Sequence, residues 1–139
     1  MIARVLDLQS LTVRQVARPM ASTVSINTST LMGEVLALCG EKQLTRLPVW
    51  EDKDGQRRIS GVLSLDTLIY QTDFDPVKQA GEYMKPALYL DEDLRLEIAL
   101  QRMQRGGQRL AIVLGRDRRE TGIVSLEDIL RVVFGEVSL

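Results

Sequence analysis

Gly61-Val62-Leu63-Ser64-Leu65-Asp66-Thr67-Leu68-Ile69 recurs as Gly122-Ile123-Val124-Ser125-Leu126-Glu127-Asp128-Ile129-Leu130. Self-similarity at a wide, fixed spacing means that one supersecondary unit has been used twice. In each copy a short apolar run ends in serine and passes directly into a helical pattern, so each reads as a strand feeding a helix. Working backwards, a turn precedes each strand: Asp52-Lys53-Asp54-Gly55 before Ile59 to Leu63, and Gly115-Arg116-Asp117 before Gly122 to Val124. Before each turn lies another strand, Leu47-Pro48-Val49-Trp50 in one copy and Leu110-Ala111-Ile112-Val113-Leu114 in the other. Amphipathic helices come earlier still. Leu31, Met32, Val35, Leu36 and Cys39 share one face, as do Leu96, Ala99, Leu100 and Met103. Each copy opens on a strand, Thr23-Val24-Ser25-Ile26 or Ala87-Leu88-Tyr89-Leu90. A polar cluster of helix-capping type follows each, Asn27 to Thr30 or Asp91 to Asp93.

Both halves therefore read strand, helix, strand, strand, helix. The fold class is α+β, with two β-α-β-β-α repeats at 13–70 and 84–137 joined by a linker at 71–83 that contains Asp75-Pro76. The order is not the strict alternation of a doubly wound sheet. Halves of this size are marginal alone, so the duplication predicts that they pack together with pseudo-twofold symmetry.

Composition closes off several function classes. The 139 residues hold 18 Lys plus Arg against 19 Asp plus Glu, which gives no general attraction to nucleic acid or anionic lipid. Arg57-Arg58 and Arg116-Asp117-Arg118-Arg119 read as solvated loop charges. There is no histidine and one cysteine, so a zinc centre and a Ser-His-Asp or Cys-His nucleophile have no residues to build them. Cys39, among leucines, reads as a small core residue, and a lone cysteine suits a reducing cytosol. No apolar run reaches membrane-spanning length, no signal-peptide pattern opens the chain, and no Gly-x-x-x-x-Gly-Lys-Ser/Thr stretch exists. The expectation is a cytosolic module that is not an enzyme.

The order of elements and the Gly-x-x-Ser-x-x-Asp ending at Asp128 resemble a tandem CBS domain pair, or Bateman module, over roughly residues 13–137. A narrower likeness is to the cytoplasmic CBS pair of the hemolysin C/CorC/cyclin M family, linked to magnesium and cobalt efflux. Val13-Arg14-Gln15-Val16-Ala17-Arg18-Pro19-Met20 is similar to that family's opening Val-Arg-Asp-Ile-Met-Thr-Pro-Arg. Thr45-Arg46-Leu47-Pro48-Val49-Trp50 is similar to its Ser-Arg-Phe-Pro-Val-Tyr strand. Gly122 to Gly135-Glu136 is similar to its Gly-Leu-Val-Thr-Leu-Glu-Asp-Ile ending. Ala17 and Met20 depart from the opening motif, and Gly115 to Arg119 replaces the family's Asp-Glu-Tyr-Gly-Gly loop. Thr67 stands where the second repeat has Asp128.

The Ser-x-x-Asp pattern has a chemistry of its own. A helix N-terminus offers unpaired N–H groups and partial positive charge to a phosphate. Ser125 adds a hydroxyl, and Asp128, one turn on, can accept from both hydroxyls of a ribose. The same pattern is also an ordinary N-cap with an acidic first turn, and the residues alone leave both readings open. The resemblance implies a cleft where Ser125 and Asp128 face Thr23, Val24, Leu47, Pro48 and Val49 of the first repeat, with Arg109 toward the phosphate. Its twin would set Leu88, Ala111 and Val113 against Ser64 and Thr67, and would be weak because Thr67 is not an anion. The implied ligand is ATP or AMP acting as a regulator, with Mg held mostly by phosphate and water and no protein metal ligand. Also implied are a homodimer, through Leu68, Ile69, Ile129, Leu130, Val133 and Phe134 of the second helices, and attachment to a membrane domain. Trp50 reads as packing or a dimer contact. The alternative is a dimerisation scaffold without ligand.

Overall fold

The computed structural model of the chain describes residues 11–68 and 74–134. In chain order the elements are α1 (Val13–Val16), β1 (Arg18–Pro19), a 3-10 turn (Met20–Ser22), β2 (Ile26–Asn27), α2 (Met32–Lys42), β3 (Arg46–Lys53), β4 (Gln56–Ser64) and α3 (Leu65–Leu68). They continue with a second 3-10 turn (Ala80–Glu82), β5 (Leu88–Asp91), α4 (Leu96–Gly106), β6 (Leu110–Leu114), β7 (Glu120–Ser125) and α5 (Leu126–Phe134). Helices and strands are mixed within each half, the α+β class read from the sequence. Two compact units hold these elements: a contiguous unit, Val24–Ala87, and a split unit built from 11–23 together with 88–134.

In the contiguous unit the strand order is β2-β3-β4, with β2 parallel and β4 antiparallel to β3. Asp54 and Gly55, at φ 51° and 77°, make the two-residue turn between β3 and β4. Asp-Gly enters that left-handed region readily, and the resulting turn twist matches the strands it joins. Pro48 cannot donate to a neighbouring strand, and β2 pairs only with Val49 and Trp50, so no ladder bond is lost there. From α2, Met32, Val35 and Cys39 are buried against Leu47, Val49 and Leu63 of the sheet. Leu31 and Leu36, expected on that face, are instead each 39% exposed. Leu31 precedes the helix in extended conformation, and Leu36 lies at the edge of the Met32-Val35-Cys39 stripe.

The split unit repeats this plan with one strand added, in the order β1-β7-β6-β5. Leu96, Ala99 and Met103 of α4 are buried on Leu90, Ala111, Val113 and Val124. The added strand comes from the opening segment. Val13 is fully buried in this core, its N–H donating to Leu94 O at 2.8 Å, and Arg18 pairs with Ile123. Residues 79–85 do the same in the contiguous unit. Ala80 N donates to Thr30 O at 2.8 Å, Lys85 and Val62 exchange both backbone bonds at 2.9 Å, and Ala80 and Tyr83 join the core. That segment falls largely within the expected linker, of which 71–73 lie outside the described residues, as do the expected repeat ends at 70 and 137.

The duplicated motif begins with glycine because of these close passes. A Cβ on Gly61 would lie 2.6 Å from Lys85 O, and one on Gly122 would overlap Arg18 O. Only glycine lets another backbone run so near. The polar clusters expected to cap α2 and α4 do not do so. The N-cap positions are Leu31 and Arg95, neither with a capping side chain. Backbone carbonyls serve instead: Met32 N donates to Lys78 O at 2.9 Å and Leu96 N to Leu11 O at 3.1 Å.

Candidate functional site

Strand β7 delivers Ser125 to the start of α5, where Leu126 N donates to Arg109 O at 2.9 Å. Asp128 N then donates to Ser125 Oγ at 3.0 Å, so Ser125 caps the helix as its type predicts. This brings Ser125 and Asp128 together on the first turn, as the sequence predicted. Among the described residues Asp128 is the one buried charged side chain, 7% exposed.

Two arginines hold that carboxylate. Arg18 reaches it as a fork, Nε to Oδ2 at 3.0 Å and Nη2 to Oδ1 at 3.1 Å. Arg131, one turn on, donates from Nη1 to Oδ1 at 3.2 Å. Burial by itself would push the Asp128 carboxyl up. Hydrogen bonds from Arg18 and Ser125, with the charges of Arg18 and Arg131, outweigh that and hold it below the usual carboxylate range. The same pairing raises the Arg18 guanidinium, so both partners stay charged. Sequence reasoning did not find Arg18 or Arg131 as partners of Asp128. The available signal was Arg18 in the opening motif, at the position where the resembled family carries threonine.

The other predicted residues divide between the units. In the split unit Thr23 is half-buried and its Oγ1 donates to Pro19 O at 2.8 Å. Arg109 is 60% exposed on its side chain and lies 3.4 Å from Glu127. In the contiguous unit Val24 packs against the core, and Leu47 and Val49 are buried within it. Their side chains are committed to packing, while Pro48 is buried on the opposite face of β3. For the twin site, Ala111 and Val113 are core residues of the split unit and Leu88 is half-buried. Ser64 ends β4, and the Thr67 side chain lies outside the described set. Leu68 and Ile129, expected on an exposed helix face, belong to the two cores, because each second helix needs an anchor on its own sheet. Phe134 remains exposed, and Ile69 is not described.

The loop arginines are not simply solvated. Arg116 meets Asp93 at 3.2 Å and Arg118 meets Asp91 at 2.7 Å, beside an open depression of about 300 Å³. Arg57 stacks on Trp50, 4.9 Å from the ring centre, and Trp50 Nε1 donates to Ser25 Oγ at 2.9 Å, which makes Trp50 a packing residue. Cys39 is buried and its thiol pushed up by that burial. Among the described residues no three His, Cys, Asp or Glu side chains gather as a metal site, and no helix is long and apolar enough to cross a membrane.

The sequence matches the CBS domain over residues 13–71 and again over 80–135. The chain belongs to the CBS domain family. As a CBS pair it is 28% identical to a UPF0053 protein of Mycobacterium tuberculosis, covering 99% of this chain and 32% of that protein. It is 27% identical to the magnesium and cobalt efflux protein CorC of Vibrio cholerae, covering 99% of this chain and 47% of CorC. The chain thus spans less than half the length of these relatives. Among solved structures it is similar to the CBS domain of the bacterial CNNM/CorC family Mg2+ transporter in complex with ATP. There the TM-score is 0.83 at 26% identity, covering 96% of this chain and 94% of the other.

Proposed function

We propose that this CBS pair is a regulatory adenine-nucleotide-binding module, with ATP the favoured ligand, and that it forms part of a CorC-like magnesium or cobalt efflux protein. The observation that carries the reading is the buried, ionised Asp128 one turn from Ser125 at the start of α5. That donor and acceptor set fits a phosphorylated ribose: the carboxylate would accept from the diol, and the Ser125 hydroxyl with the positive end of α5 would attract the phosphate. The similarity to a CBS domain in complex with ATP supports the same ligand class. Magnesium would enter on the phosphate oxygens with water completing its shell.

Nucleotide binding acts here by shifting populations between conformations, and by linkage the attached domain's state changes nucleotide affinity in return. The role is regulation and not catalysis, exercised on the cytosolic side of a membrane. Calorimetric titration with ATP, ADP and AMP, with and without magnesium, tests the reading. Thermal shift gives a second readout, because ligand at 100 times its Kd adds about 2.7 kcal/mol. Absence of saturable binding by all three would sink it.

One observation favours a second reading. The Asp128 carboxylate is already engaged by Arg18 and Arg131, and Ser125 by the cap. In that reading the motif is purely structural and the pair is a homodimeric scaffold, with exposed Phe134 at its contact face. Concentration-dependent dimerisation without any nucleotide heat would favour it.

A further inference from the structure

Arg18 does to Asp128 what a bound ribose would do. Its Nε and Nη2 present two parallel N–H donors to the two oxygens of one carboxylate, at 3.0 and 3.1 Å. A ribose diol would bring two O–H donors to the same pair. A carboxylate has about four lone-pair sites. Arg131 Nη1 takes a third at 3.2 Å, and the Ser125 hydroxyl stabilises the same group. While Arg18 stays, there is no acceptor left for a diol. The two partners differ in how easily they leave. The Arg18 side chain is 63% exposed and that of Asp128 only 9%, so the guanidinium can turn to solvent while the carboxylate stays buried on the first turn of α5. Strand β1 holds the Arg18 backbone through its register with Ile123, so the side chain can swing without moving the strand.

We infer that Arg18 is a specificity-determining residue that latches Asp128 in the ligand-free chain, yields it to a ribose, and re-pairs with the phosphate of the same ligand. This rests on the nucleotide reading given above. A guanidinium fork matches phosphate as well as it matches carboxylate, so a nucleoside phosphate replaces the bonds it breaks. A bare nucleoside takes the carboxylate and leaves Arg18 with water alone. The latch is thus an element directed against the unphosphorylated ligand, and discrimination is the difference between the two exchanges.

The test is calorimetry on the unsubstituted chain, Arg18→Gln and Arg18→Lys, each titrated with adenosine and with ATP. Arg18→Gln is expected to bind adenosine about ten-fold tighter, the scale of one hydrogen bond to a charged group, and ATP within about three-fold of the unsubstituted chain. The preference for ATP over adenosine therefore shrinks. Arg18→Lys keeps the charge without the fork, so it tightens adenosine and retains ATP affinity. A carboxyl NMR titration gives a ligand-free readout: in Arg18→Gln, Asp128 titrates at higher pH than in the unsubstituted chain. A variant that weakens both ligands together would make Arg18 a support for Asp128 and overturn the latch, as would an unchanged preference; in both cases the nucleotide reading stands. Adenosine binding by Arg18→Gln where the unsubstituted chain binds ATP but no adenosine would support the latch in its strongest form. No binding by any of the three proteins would overturn the latch and the nucleotide reading together.

Discussion

Replacing Gly122 by alanine adds one methyl group where the backbone of the opening segment passes. The new carbon would overlap Arg18 O, lie 3.2 Å from the Arg18 carbonyl carbon and 3.7 Å from Ala17 Cβ. None of these is the far end of a flexible side chain. Strand β1 is held on both of its residues, Arg18 to Ile123 and Pro19 to Gly122, so relief requires β1 to lift from β7. Lifting β1 strains the Arg18 contact with Asp128 and the buried position of Val13. Overpacking of this kind costs about 1–3 kcal/mol, and we place Gly122→Ala near the upper end, about 2–3 kcal/mol. For a chain of this length that lowers Tm by about 6–12 °C. Gly40→Ala is the matched control. Gly40 lies in α2 with nothing within 4 Å of its added Cβ, and alanine there gains about 0.5–1 kcal/mol from helix propensity. One chemical change therefore has opposite signs at two sites. Thermal and urea unfolding followed by circular dichroism measure both, with the fluorescence of the single tryptophan, Trp50, as a second probe. If Gly122→Ala melted at or above the temperature of the unsubstituted chain, the close-approach reasoning would be refuted.

Three further outcomes are expected. Met103→Ala removes a fully buried side chain from the split unit's core and should cost about 2–5 kcal/mol, read as a lower urea midpoint. Gly55→Ala keeps open space around the new methyl but must hold φ at +77°, so it should cost about 1 kcal/mol by conformation alone in the same assay. The Asp128 carboxyl is lowered on folding, so its contribution is complete above the unfolded value of about 3.9 and lost as pH falls through the lower folded value. Urea unfolding of Asp128→Asn and the unsubstituted chain, compared from neutral to acid pH, should show a gap that closes below about pH 4; a gap that widened in acid would contradict the assigned pairing.

The parts of the fold legible in the sequence are those set by neighbours along the chain. Alternation and period placed both hairpins, the α2 and α4 stripes and the strand-to-helix passage at Ser125, because each depends on residues a few positions apart. Non-local satisfaction was not legible. The N-termini of α2 and α4 are met by Lys78 and Leu11 carbonyls, which no capping pattern near Leu31 or Arg95 announces. The close passes over Gly61 and Gly122 explain the duplicated glycines only once the segments above them are known. At the site, Ser125 and Asp128 were readable because a helix places residues three apart on one edge. Arg18 was not, since 110 positions separate it from Asp128 and no local charge pattern links them. Leu68 and Ile129 show the opposite error: apolar residues on a helix read equally as an interface or as an anchor, and burial decides for the anchor.

The division of the chain into one contiguous and one interrupted unit has a consequence for synthesis on the ribosome. The described core residues of 24–87, including Ala80 and Tyr83 near its end, pack on one another, so those contacts can start to form once that segment has emerged. The segment at 11–23 emerges before that unit and lacks the core partners of Val13 until 88–134 follow. Protease sensitivity of stalled nascent chains would time the two events. Residues 11–23 are thus made before 24–87 and fixed after 88–134, and the Arg18–Asp128 pair cannot form until Asp128 has been translated.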